Sequence, residues 1–216
     1  MTSVNVPPDA TIRDALGKFG VSLSAEQTAQ IREYMRLLLM WNDKINLTAI
    51  QDPLEILYRH FCDSMFASTV ADLRNCRLAD IGSGGGFPGL PLKILVPNAT
   101  VFLVESNFKK ATFLAEVVRS LNLGGIYVRV DRYEELGEEV APLDYICARA
   151  LGNFPSLLSW AGLQTTGAKA VILWLGERDV DEVKRLHGWD WQNPVPVPKS
   201  LRRVLLLGSK SEHRLK

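Results

Sequence analysis

The sequence predicts an α/β fold in which a mostly parallel sheet carries helices on both faces and follows a helical N-terminal extension. Three observations support this prediction. From about residue 76 onward, apolar runs alternate with amphipathic segments, which is typical of a parallel sheet covered by helices. A glycine-rich turn follows the first apolar run. Residues 9–75, in contrast, carry hydrophobic side chains at helical spacing.

Two helix starts mark the N-terminal extension. Ser24 followed by Gln27 has the pattern of a capping box, and hydrophobic residues at helical spacing come after it. Asp52 followed by Glu55 repeats the pattern, with Pro53 at the first helical position. We therefore assign residues 1–75 to the extension and residues 76–216 to the α/β domain, and we expect the two parts to pack as one compact unit.

The α/β domain divides into regular elements. Strands are predicted at 77–81, 100–105, 126–130, 143–148, 169–175 and 202–207, and helices at 88–96, 106–122, 153–161 and 177–187. Ser106 is the predicted N-cap of the second of these helices. The tryptophans and prolines of residues 189–198 predict a loop or an edge segment.

The turn after the first strand predicts a nucleotide-type cofactor site. It runs from Leu78 to Gly89 with the sequence LADIGSGGGFPG. Gly84 to Gly89 satisfies the dinucleotide pattern G-x-G-x-x-G, which is weak alone. The longer pattern, with Asp80, Gly82, Gly84 and Gly86 at every second position, is similar to motif I of S-adenosylmethionine-dependent methyltransferases. A carboxylate is unfavourable beside a pyrophosphate but suits a cationic methyl donor, so we expect Asp80, Gly82, Ser83 and Gly84 to bind that cofactor.

Further candidates follow the next strands, where open α/β sheets bind their ligands. Glu105 ends the second strand and is expected to accept hydrogen bonds from ribose hydroxyls. Tyr133 could cover an adenine, and Glu134 could read its edge. Arg149 ends an apolar strand, where a charge is costly unless it meets an anion; a functional role and a structural ion pair with Asp80, Asp144 or Glu134 both remain open.

Composition excludes several classes of protein. The 216 residues carry a net charge of +1, so nucleic-acid binding would need a local basic surface. One candidate surface lies near the end of the chain: Lys199, Arg202, Arg203, Lys210, Arg214 and Lys216. The three cysteines are scattered, which argues against disulfides and a zinc site and suits a reducing compartment. With no signal peptide or membrane-length apolar run, we expect a cytoplasmic protein. We also expect a monomer that binds no metal.

The absence of two motifs narrows the choice of methyl acceptor. The sequence Ala148 to Leu151 lacks the Asp/Asn-Pro-Pro-aromatic turn that is common where an exocyclic amine is methylated. Cys147 lacks the preceding proline usual for a pyrimidine-methylating nucleophile, and is expected in the core. Guanine N7 needs neither base nor nucleophile because its lone pair is free. In-line transfer would then depend on positioning and the exclusion of water.

Several blocks together resemble the bacterial glucose-inhibited division protein B family, the small-subunit ribosomal RNA guanine-N7 methyltransferases. These blocks are WNDKINLTAI at residues 41–50, RHFCDS at 59–64, the turn at 80–91, Glu105 with Lys109 and Lys110, Arg132 to Glu134, and Ala148 to Ala150. The resemblance covers roughly residues 30–207. It implies a Rossmann-like class I methyltransferase fold with a mostly parallel seven-stranded sheet.

The same resemblance implies functional residues. It implies S-adenosylmethionine contacts at Gly82, Phe87, Tyr133, Glu134 and Arg149, and methylation of a guanine in 16S rRNA, as free RNA or in the small ribosomal subunit. Arg132 and Arg149 match positions associated with activity. The implied RNA contacts are Asn46, His60, Arg132, Arg202 and Arg203, with the register of the last two left open. Leu175 departs from the family, which usually has lysine there.

Two other classes of function remain possible from the sequence. A nicotinamide-dependent dehydrogenase would share the glycine-rich turn, and predicts thermal stabilisation by NAD rather than by S-adenosylmethionine. A non-enzymatic RNA-binding scaffold would share the RNA surface but would transfer no methyl group. We therefore expect an rRNA (guanine-N7)-methyltransferase and keep these two alternatives.

Overall fold

The N-terminal extension is a layer of helices packed against one face of the sheet. A computed structural model describes residues 5–149 and 152–211. The extension contains α1 (Asp9–Gly17) and α2 (Ala25–Asn42). A continuous run of helical turns follows, made up of α3 (Pro53–Ile56), a π-helical segment (Leu57–Cys62), α4 (Asp63–Met65) and a 3-10 turn (Phe66–Thr69). The capping box of Ser24 and Gln27 is confirmed, and Asp52 accepts a hydrogen bond from the Glu55 N–H.

The sheet has the predicted mostly parallel order with antiparallel strands at one edge. Its strands are β1 (Arg77–Ile81), β2 (Thr100–Val104), β3 (Ile126–Arg129), β4 (Tyr145–Arg149), β5 (Ala170–Gly176), β6 (Trp189–Trp191), β7 (Val195–Pro196) and β8 (Arg203–Lys210). The order is β3-β2-β1-β4-β5-β8-β6, with the two-residue β7 also paired to β8. The expected seven strands form this path, and β7 is an addition. The first five strands are parallel, and the order in which successive strands are added to the sheet reverses between β1 and β4.

Four helices of the α/β domain cover the two faces. They are α5 (Gly89–Leu95), α6 (Phe108–Ser120), α7 (Phe154–Ala161) and α8 (Val180–Lys184). One hydrophobic cluster joins α5, α6 and the extension to alternate strand residues such as Leu78, Cys147 and Leu205. The other joins α7 and α8 to the intervening residues, such as Ala79 and Leu175. Strand side chains alternate between the two faces of the sheet. A group at the end of a strand therefore faces the extension only if it lies an even number of residues from a strand residue that does.

Some boundaries differ from the sequence prediction. Asn107, not Ser106, caps α6, because its side chain accepts hydrogen bonds from the N–H groups of Lys109 and Lys110. The predicted helix at 177–187 is a 3-10 turn followed by a short α8. Ala150 and Leu151 of the strand-four motif, and Arg214 and Lys216 of the basic terminus, lie outside the described residues. Within the part of the chain that the structure describes, no helix is long and apolar enough to span a bilayer.

Candidate active site

The glycine-rich turn presents bare backbone at the carboxyl end of β1. The N–H groups of Gly82 and Ser83 both donate to the Val104 carbonyl, at 2.9 and 3.1 Å. Gly82 and Gly84 have φ values of +70° and +56°, which favour glycine. Gly82 is exposed, and a Cβ placed on Gly84 would meet nothing closer than 3.8 Å. This predicted part of the site is therefore accessible to a ligand.

Asp80 has a different role from the predicted one. Its carboxylate is fully buried, and Oδ2 accepts a hydrogen bond from the Gly89 N–H at 2.9 Å, while the Ser83 hydroxyl donates to the Asp80 carbonyl. Burial raises the pKa of Asp80 to about 6. Because Asp80 and Ser83 face inward, they hold the turn in shape, and their side chains do not offer the expected direct contact with a cationic ligand.

Glu105 joins the turn to the start of α6. Its Oε2 accepts from the Gly84 N–H at 2.9 Å, and its Oε1 accepts from the Asn107 N–H at 2.8 Å. The side chain retains a small exposed fraction of 8%. A carboxylate oxygen can accept a second hydrogen bond, so Glu105 remains suited to the ribose hydroxyls for which the sequence predicts it.

Arg149 lies at the end of β4 and faces the extension. Its Nη1 donates to the Arg59 carbonyl at 3.0 Å, and its Nη2 lies 3.1 Å from His60 Nδ1. The guanidinium carbon is 5.1 Å from the centre of the Phe87 ring. The expected alternative of an ion pair is not observed, since no carboxylate of the described residues lies within 4.0 Å of this guanidinium. Burial lowers the pKa of Arg149 from its ordinary value.

His60 is engaged within the protein. Its Nε2 lies 2.7 Å from Thr48 Oγ1, and its ring stacks on Phe87 with centroids 4.7 Å apart. Burial, and next the charges of Arg149 and Arg203, lower the pKa of His60 to about 3. Both ring nitrogens are occupied, so the structure does not support the implied RNA contact through them.

The side-chain amide of Asn42 fixes the backbone of the segment that contains Thr48. Asn42 Oδ1 accepts from the N–H groups of Leu47 and Thr48, both at 2.9 Å, and Asn42 Nδ2 donates to the Thr48 carbonyl at 2.9 Å. Asn46 is exposed beside a cavity of about 510 Å³ that Asn42 and Thr48 also line. Of the two implied RNA contacts in the extension, Asn46 is the accessible one.

The adjacent arginines at the start of β8 differ in their surroundings. Arg203 forms an ion pair with Asp63, a fully buried residue of α4. Burial raises the pKa of Asp63, which the nearby arginines oppose, and its Oδ1 has no hydrogen-bond partner within residues 5–149 and 152–211. Arg202 is exposed. Arg203 therefore faces Arg149 and the extension, whereas Arg202 faces solvent.

The turn after β3 is tied to α7. The Tyr133 hydroxyl lies 2.9 Å from Ser156 Oγ, and its ring contacts Trp160 edge-to-face at 5.1 Å. Arg132 and Glu134 are exposed on either side of Tyr133. The sequence-predicted residues of this turn are thus brought to the carboxyl edge of the sheet, with Tyr133 half-buried.

Phe87 and Leu175 are core residues. Phe87 is 4% exposed, and its ring is stacked on Tyr34 with centroids 5.4 Å apart as well as on His60. Its ring is therefore not free for the expected ligand contact, which only its backbone could make. Leu175 is buried in the hydrophobic cluster on the α7 face, so its side chain does not point to the side of the sheet that holds Arg149.

Four residues of this arrangement were not predicted as site residues. They are Tyr34, whose hydroxyl donates to the Gly85 carbonyl, Asn42, Thr48 and Asp63. The last three lie within the sequence blocks that carry the family resemblance, which was the available signal. The described residues contain no cluster of three or more His, Cys, Asp or Glu side chains that would hold a metal.

Comparisons with solved structures concern the fold. The chain is similar to a SAM-dependent methyltransferase from Aquifex aeolicus with a TM-score of 0.56. The match covers 74% of this chain and 94% of that protein, at 18% sequence identity. At this identity the likeness establishes a shared fold, in agreement with the Rossmann-like class I architecture.

Other relatives match this chain in sequence over most of its length. Ribosomal RNA small subunit methyltransferase G of Xanthomonas campestris is 36% identical over 201 residues, which are 92% of this chain and 93% of that protein. The protein of the same name from Sorangium cellulosum is 38% identical over 181 residues, 82% of this chain and 75% of its own length. Residues 27–189 match the model of the GidB family, rRNA small subunit methyltransferase G. This chain belongs to the rRNA small subunit methyltransferase G family.

Proposed function

We propose that this protein transfers a methyl group from S-adenosylmethionine to N7 of a guanine in 16S ribosomal RNA. Membership of the family supports the substrate class and the cofactor. The observation that carries the proposal is the position of Arg149, which lies beside the glycine-rich turn where the strand order reverses, the usual ligand position of such sheets.

The turn suits the proposed cofactor better than a dinucleotide. Gly82 is exposed, a Cβ on Gly84 would meet nothing closer than 3.8 Å, and Glu105 offers carboxylate lone pairs for ribose hydroxyls. The first N–H of α5 is already bound by the Asp80 carboxylate, whose charge would repel a pyrophosphate. Bound S-adenosylmethionine would supply an activated methyl group on a sulfonium. The residues of this chain would hold it, orient the acceptor and exclude water.

Guanine N7 is the acceptor that matches the chemistry of the described side chains. Asp80 is fully buried, and both ring nitrogens of His60 are engaged, so neither is placed to remove a proton from a substrate. N7 carries a free lone pair and needs no general base. An arginine bound to both O6 and N7 would block that lone pair, so Arg149 is expected to hold a phosphate, O6 alone or the cofactor carboxylate.

Exposed residues around the site supply a surface for RNA. Arg132, Arg202 and Asn46 are exposed and lie on three different segments of the chain. Because the net charge is only +1, we expect these local groups and an ordered ribosomal particle to determine affinity. That substrate fits the expected cytoplasmic protein.

The proposal is tested by transfer of tritiated methyl groups to naked 16S rRNA, assembled small subunits and whole ribosomes, with the modified base located by mass analysis. Label at guanine N7 supports it. RNA binding without transfer indicates the scaffold alternative, and label on protein or small molecules overturns the RNA assignment. In parallel, a rise in melting temperature with NAD but not with S-adenosylmethionine indicates the dehydrogenase.

A further inference from the structure

We propose that His60 is a positioning residue, which accepts a hydrogen bond from Arg149 and fixes the direction of that guanidinium beside the glycine-rich turn. The inference deepens the proposed function and rests on it, since it assumes that Arg149 contacts the cofactor or the RNA. It also replaces the implied RNA contact of His60 with a contact inside the protein.

The tautomer of His60 follows from its two partners. A guanidinium only donates hydrogen bonds, so His60 Nδ1, 3.1 Å from Arg149 Nη2, must be the acceptor. The ring hydrogen is then on Nε2, which donates to Thr48 Oγ1 at 2.7 Å. A hydroxyl can either donate or accept, so Thr48 is compatible with this tautomer, which the donor-only guanidinium of Arg149 sets.

The acceptor is held rigidly on both sides. The His60 ring stacks on Phe87, which is stacked in turn on the fully buried Tyr34. Thr48 is fixed by the three hydrogen bonds between Asn42 and the backbone of residues 47 and 48. The position of Nδ1 is therefore set by packing in the extension rather than by Arg149 itself.

A neutral acceptor leaves the charge of Arg149 available. Its two observed acceptors are His60 Nδ1 and the Arg59 carbonyl, and both are uncharged. A carboxylate in the place of His60 would also orient the guanidinium but would neutralise it. Since burial lowers the pKa of His60 to about 3, the ring stays a neutral acceptor at physiological pH. The extension thus orients the cation through hydrogen bonds to neutral groups, while the nearby Asp63 carboxylate, whose charge also acts on Arg149, forms its ion pair with Arg203.

Two variants, each of which places an amide near one of the two ring nitrogens, separate this role from general packing. In His60→Asn the amide oxygen can take the place of Nδ1, whereas in His60→Gln the amide reaches the place of Nε2. We expect methylation by His60→Gln to fall about 10- to 100-fold, with most of the activity restored in His60→Asn. Similar melting temperatures of the two variants would show that folding does not cause the difference. Equal losses in both, or a better His60→Gln, would overturn the proposal.

A measurement without substrate tests the tautomer directly. Long-range proton–nitrogen NMR spectra of the whole protein should show His60 neutral with its hydrogen on Nε2 from pH 6 to 8, assigned by comparison with His60→Asn. In Arg149→Met the Nδ1 resonance should shift. A doubly protonated ring in this pH range, a hydrogen on Nδ1, or an unshifted Nδ1 resonance in Arg149→Met would overturn the proposed role of His60. If the wild type methylates no ribosomal RNA, the proposed function fails while these spectra still decide the role of His60.

Discussion

The Asp80 carboxylate and the Gly89 N–H form a buried hydrogen bond of 2.9 Å that joins the end of β1 to the start of α5. A Cβ on Gly89 would lie 2.8 Å from Asp80 Oδ2 and 2.5 Å from Leu103 Cδ2. The backbone of α5 approaches the strand this closely only because residue 89 has no side chain. The contact fixes both ends of the glycine-rich turn.

Gly89→Ala is therefore expected to destabilise the protein. The added methyl group must displace Asp80 or Leu103 in a packed interior, at a cost of roughly 1–3 kcal/mol. Urea unfolding measures this change. Gly17→Ala is the matched control, because nothing lies within 4 Å of a Cβ there, and it should leave stability unchanged or raise it by up to about 1 kcal/mol. Equal stability of the two variants would contradict the close approach.

Asp80→Asn should change how stability depends on pH. The pKa of Asp80 is raised to about 6 in the folded protein, above its ordinary value of 3.8, so the folded state binds more protons between these values. Wild-type stability should thus fall relative to Asp80→Asn as pH rises from about 4 to 6, by at most about 3 kcal/mol. Urea unfolding of both proteins across this range measures the difference. A constant difference would show that Asp80 ionises without a penalty.

The order of elements could be predicted from the sequence because it depends on local patterns. β1 was predicted at its observed bounds, since Leu78, Ala79 and Ile81 are apolar and a glycine-rich turn follows them directly. For β6 the sequence predicted only a loop or an edge segment, because three residues with tryptophan at both ends carry no clear strand pattern without the partner β8. The cap of α6 moved from Ser106 to Asn107, since both residue types cap helices and Glu105 binds the N–H of Asn107.

The residue types of the site could be predicted, but not the directions of their side chains. Asp80 lies two residues after Leu78 in β1, so its side chain also faces the extension, where it is buried and holds the glycine-rich turn in shape. The same alternation separates Arg203 from Arg202. Arg203 lies two residues before Leu205, which belongs to the cluster on the extension face. The bond between His60 and Arg149 joins residues 89 positions apart and depends on tertiary packing alone.

Arg203→Met should strongly destabilise the protein. It leaves the buried Asp63 carboxylate without the guanidinium that it pairs with, and removal of one partner from such a pair costs about 3–5 kcal/mol. Arg202→Met, one residue earlier and exposed, should change stability by no more than about 0.5 kcal/mol. The double variant Arg203→Met with Asp63→Asn should recover part of the loss. Thermal unfolding compares all three, and equal effects of the two single variants would refute the buried pair.

Arg149→Ala is expected to reduce methylation by roughly 100-fold, because the guanidinium would no longer position the cofactor or a phosphate beside the turn. Steady-state kinetics with ribosomal RNA substrate, together with calorimetry of S-adenosylmethionine binding, locates the loss in turnover or in one of the two affinities. Arg74→Ala is the control, since Arg74 is an exposed residue that precedes β1 and is paired with Asp72 at the opposite edge of the sheet. It should retain full activity. Unchanged turnover and unchanged affinity for both ligands in Arg149→Ala would remove Arg149 from the active site.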